Sequence, residues 1–112
     1  MSTPLPHPAE VRRDVELALA LANTRSTGPA VDALKARLRA HLTALLEPAR
    51  RYATHLVDDH ARARAHSTIE HATTQLNPTT DQPPADRLRL LAKATDHLAR
   101  YAAAAPPNHT RS

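Results

Sequence analysis

Cysteine, tryptophan and phenylalanine are absent from this 112-residue chain, and glycine occurs once. Without cysteine there is no disulfide scaffold and no cysteine–zinc site. A lone glycine cannot build the glycine-rich loop that cradles a phosphate. Tyr52 and Tyr101 are the only aromatic residues, too few to stack a run of nucleic-acid bases. No apolar run reaches the roughly 18 residues that cross a bilayer. The first residues lack the basic start and apolar stretch of a secretory signal, so a cytoplasmic location is expected.

What is present is alanine, 23 residues of it, against 20 Leu, Ile and Val together. Burying a leucine is worth about 1.5–3 kcal/mol, and an alanine methyl roughly a third of that. The core is therefore thin for the length of the chain, while the modest net charge of +4 argues against full disorder. Ala, Leu and Arg are strong helix formers, and β-branched and aromatic residues are too scarce for a sheet. A thin core can be offset by helix propensity, by a partner, or by both. Arginine outnumbers lysine 13 to 2. That ratio reflects the codon bias of a high-GC genome and weakens any functional reading of the arginines.

The hydrophobic periods divide the chain into four helices. Residues 1–7 are expected to be a disordered tail. Pro8 suits a first helical turn and Glu10 the positive helix end, which starts a helix running to about Ala22. Asn23 to Gly28 form a polar turn, and Pro29 opens the second helix. Val31, Leu34, Leu38, Leu42, Leu45, Ala49, Tyr52 and Leu56 then repeat at three- and four-residue steps, one helical face. Pro48 lies inside this run without changing its phase, which predicts a kink rather than a break. The phase slips by five residues between Leu56 and Ala61. The second helix should end near Val57, and a third should start near Asp59 with the stripe Ala61, Ala65, Ile69, Ala72, Leu76. Asn77-Pro78 closes it, residues 77–82 form a loop, and Pro83 and Pro84 open a fourth helix striped by Leu88, Leu91, Thr95, Leu98 and Ala102. Residues 106–112 are expected to be a second disordered tail. The expected fold is all-α: an antiparallel four-helix bundle over residues 8–105, with a long second helix kinked at Pro48.

Four features carry candidate function. The first helix is apolar almost all round: from Val15 to Ala22 only Glu16 is polar. Val11, Val15, Ala18, Leu19 and Ala22 make one face. Leu17 and Leu21 lie roughly opposite, bordered by Glu10, Arg13 and Asp14. They are either exposed leucines of the ordinary kind or a docking surface for another protein or a second copy. His41 sits beside the second-helix stripe, where a half-buried imidazole needs a hydrogen-bond partner. Acid–base chemistry there would need a second positioned group. The His55/His60 and His66/His71 pairs are five apart, not the three or four of helical metal ligands, so no metal and no cofactor is expected. Basic residues gather at Lys35, Arg37, Arg39, Arg50 and Arg51, and again at Arg87, Arg89, Lys93 and Arg100. Phosphate binding would use them, but the lack of aromatics weighs against nucleic acid.

Arg13-Asp14-Val15-Glu16-Leu17-Ala18-Leu19-Ala20-Leu21 and Arg37-Leu38-Arg39-Ala40-His41-Leu42-Thr43-Ala44-Leu45-Leu46-Glu47-Pro48 resemble a family of small actinobacterial helical proteins. That family carries a domain of unknown function and the label of natural-product biosynthesis protein. The resemblance spans about residues 9–104. Ala40 departs from it, standing where the family tends to glycine. The resemblance implies antibiotic biosynthesis in Streptomyces-like bacteria. It further implies a small subunit beside a larger one in azinomycin-type aziridine formation, where a sulfate leaving group is displaced intramolecularly. It carries over no catalytic residues.

Three functions follow. The first is a non-catalytic subunit that binds and stabilises a larger biosynthetic enzyme. The second is a nucleic-acid-binding regulator using the basic faces of the second and fourth helices. The third is a small enzyme acting alone through His41 or another histidine.

Overall fold

A computed structural model describes residues 5–76 and 84–105. It has four helices: α1 (Pro8–Asn23), α2 (Pro29–Thr54), α3 (Asp59–Thr74) and α4 (Pro84–Ala104). There is no strand among the described residues. Of the residues expected to be loose, 1–4, the 77–82 loop and 106–112 lie outside those described. His7, expected in the tail, instead caps α1: its Nδ1 accepts the Ala9 amide at 3.2 Å, and its carbonyl accepts the amides of Glu10 and Val11.

The α1–α2 turn places its glycine unusually. Thr24 caps α1, and Arg25 then takes a left-handed backbone with φ 54°. The Arg25 amide donates to the Ala22 carbonyl and the Ser26 amide to Leu21. That pair of bonds is a Schellman closure, built on arginine where glycine is usual. The glycine comes later, as the N-cap of α2, where Gly28 has φ 120°. A side chain there would be strained whatever the space around it.

α2 runs without interruption through Pro48. Proline lacks an amide hydrogen, so the Ala44 carbonyl receives no helical bond from position 48. Pro48 is itself buried, and the apolar stripe continues beyond it. The helix ends at Thr54, earlier than the expected Val57. Side chains cap its last carbonyls: Thr54 Oγ1 donates to Arg50 and His55 Nδ1 to Arg51. Val57 is left 91% exposed. Asp58 then caps α3 by accepting the Ala61 amide at 2.8 Å, and Arg62 fastens the turn through the Leu56 carbonyl.

α2 and α4 make the most extensive helix pair, and α1 and α3 each touch both of them. No contact joins α1 to α3 among the described residues. The bundle is thus a flattened one, with a central parallel pair and two flanking antiparallel helices. Tyr52 and Tyr101 fix the parallel sense: they stack with ring centres 4.8 Å apart and planes 17° apart, one near each C-terminal end. Eight of the nineteen buried apolar residues are alanine. Such small side chains allow close helix approach. Leu34, Leu38, Leu42, Leu88 and Leu98 supply the volume. Thr95 is fully buried in the α4 stripe, its hydroxyl returned to the Leu91 carbonyl at 2.8 Å.

Candidate functional site

The buried polar cluster lies between α1 and α2. Asp14 shares a helical face with Val11 and Ala18, three residues after one and four before the other. Its side chain therefore enters the interface with the core stripe. His41 follows Leu38 by three on α2 and faces the same seam. Its Nε2–H donates to Asp14 Oδ2 at 2.8 Å. Arg37, one turn earlier, donates through Nε to the same oxygen at 3.3 Å. The Asp14 and His41 side chains are 8% and 11% exposed, whereas Arg37 is 51% exposed. The guanidinium thus closes the cluster on its solvent side.

Burial raises the Asp14 pKa, but the hydrogen bonds and positive charges of His41 and Arg37 outweigh it. The net effect holds the carboxyl below its ordinary range. An ionised Asp14 accepts only, so Nε2 of His41 carries a proton. These are the only ion pairs between helices among the described residues. The others join residues three or four apart on one helix, and such exposed pairs are worth a few tenths of a kcal/mol each, about 0.3–0.5.

Chemically, the cluster orients an imidazole and clamps two helices. General-base catalysis would also need a substrate or nucleophile within reach of the ring. Among the described residues, His41 bonds to no hydroxyl or other nucleophile, and its described side-chain partner is Asp14.

The expected site residues thus divide. His41 is buried and has the partner that its position called for. Asp14 does not border an outer face: it is 6% exposed and belongs to the core side of α1. Leu17 is on the outside, 44% exposed, and Arg13 is exposed beside it. Leu21 is partly buried and packs against the core, so the two leucines are not equivalent. The sequence carried the missing signal, since Asp14 and His41 are both polar residues in phase with the core stripes of consecutive helices. Two such residues on facing helices are a pair, because burial without a partner is costly.

The basic residues are partly engaged by the fold. Arg37 pairs with Asp14, Lys35 with Asp32, Arg51 with Glu47, Arg89 with Asp86 and Arg100 with Asp96. No group of three or more His, Cys, Asp or Glu among the described residues could hold a metal ion. No helix there is long and apolar enough to cross a membrane. Compared with known families, curated proteins and solved structures, the chain matches none of them.

Proposed function

We propose that this chain is a non-catalytic helical subunit that docks onto and stabilises a larger enzyme through the outer face of α1. The observation that carries this reading is Leu17, 44% exposed on a helix whose orientation is pinned by the Asp14–His41–Arg37 cluster. A docking helix held rigid before binding loses little conformational freedom on association. Arg13 lies one turn earlier on the same helix and offers a polar rim contact. The class of enzyme comes from the resemblance of residues 13–21 and 37–48. The resemblance implies antibiotic biosynthesis, and aziridine ring formation is the step we propose within it.

The test is recovery of the tagged chain from its native host, with bound proteins identified and their stoichiometry measured. One larger protein in equimolar amount supports the reading, provided Leu17→Asp abolishes the association and leaves helical circular dichroism unchanged. Leu17→Asp is a cleaner probe than a change at Leu21, which packs on the core. Recovery of the chain alone, or with nucleic acid, contradicts it.

A further inference from the structure

A hollow of about 350 Å³ lies between α3 and α4, away from the Asp14 cluster. Ala72, Ala94 and Leu90 give it an apolar floor, because two alanines face each other where larger side chains would have filled the gap. Ser67, Thr68, His71, Lys93 and His97 supply its polar lining. No carboxylate is among these lining residues, and Lys93 forms no ion pair among the described residues. The hollow on the other side of α3 differs: there Glu70 stands with Arg50 and His66. The α3–α4 hollow thus joins an apolar floor to an uncompensated cation and hydroxyl donors.

We propose that this hollow binds a small monocarboxylate with an apolar body. Its volume is that of about a dozen liquid waters, within the usual range of small-molecule pockets. That size selects a compact molecule rather than a protein segment. One lysine supplies one positive charge, which matches a monoanion. The Ser67 and Thr68 hydroxyls and the two imidazoles offer further donors to the carboxylate oxygens. The apolar body rests on Ala72, Ala94 and Leu90. This assignment stands independently of the α1 docking surface.

The experiment is a titration of the isotope-labelled full chain with para-tert-butylbenzoate, followed by amide NMR. The matching neutral amide, para-tert-butylbenzamide, is run in parallel. Saturable shifts confined to the hollow, around Ser67–Ala72 and Leu90–His97, are expected from the carboxylate. The neutral amide should bind roughly tenfold more weakly, the scale of one charge-assisted hydrogen bond. Lys93→Gln with His97→Gln changes two exposed side chains, and it should weaken the carboxylate by a similar factor with helicity intact. Equal binding of the two probes overturns the proposal. So do shifts centred elsewhere, an unchanged affinity in the double variant, or no saturable binding.

Discussion

α1 and α3 are both 16 residues long, and the fold holds them in opposite ways. α1 buries Val11, Asp14, Val15, Ala18 and Ala22, and it is tied to α2 by hydrogen bonds to a buried carboxylate. α3 buries only Ala65, Ile69 and Ala72, and hollows open on both of its sides. No ion pair ties α3 to another helix among the described residues. Side-chain volume explains the difference. α1 brings two valines, two alanines and the aspartate of a matched polar pair to its seams with α2 and α4. α3 brings only one isoleucine and two alanines to its seams, packs less extensively on α4 than α1 does, and leaves space beside it. The first arrangement holds α1 by buried contacts and a buried carboxylate, and the second leaves open space beside α3.

The largest effect should come from the central pair. Leu38→Ala removes a fully buried side chain from the α2 stripe and should cost about 2–5 kcal/mol, read by urea unfolding. Smaller by about half is the loss of the clamp. Asp14→Ala leaves His41 buried without its partner and should cost about 1–3 kcal/mol. Replacing both, as Asp14→Leu with His41→Leu, should recover most of that loss, because no orphaned polar group remains. If the double variant is as unstable as the single one, the cluster is not an isolated pair.

The clamp also has a pH signature. The folded Asp14 pKa is depressed, so ionisation favours the folded state. Its contribution is complete above the unfolded aspartate value of about 3.9. It is lost as pH falls through the lower folded value. Urea unfolding at a series of acid pH values should therefore show a loss in the parent chain that is reduced in Asp14→Ala. The smallest expected effect is on α3. Asp58→Ala removes its N-cap bond and should cost about 1 kcal/mol, with the loss of helicity concentrated in α3.

The apolar stripes made the four helices legible, and the phase slip after Leu56 located the α2–α3 junction. The end of α2 was less legible. Leu56 keeps the helical phase and packs on the core, yet Thr54 and His55 cap the helix before it. Periodicity reports which side chains face inward, not where side-chain hydrogen bonds stop the backbone. The candidate site was half legible. His41 stood out as a polar residue beside a leucine stripe. Asp14 was less legible: its charge suits the outer face of α1, yet its phase with Val11 and Ala18 puts it on the core side. The α3–α4 hollow could not be read from spacing. It depends on how far two alanine faces stand apart, and that is set by the packing of the whole bundle.

The contrast between α1 and α3 is tested most directly by native-state hydrogen exchange of the full chain at neutral pH. Buried contacts and tertiary hydrogen bonds set the free energy of local opening. The amides of α3 should exchange through local opening well before those of α1, α2 and α4, which should exchange together with global unfolding. Protection of α3 equal to that of α1 would contradict the account: the flanking helices would then be held alike, and the difference between the two regions would lie in surface chemistry alone.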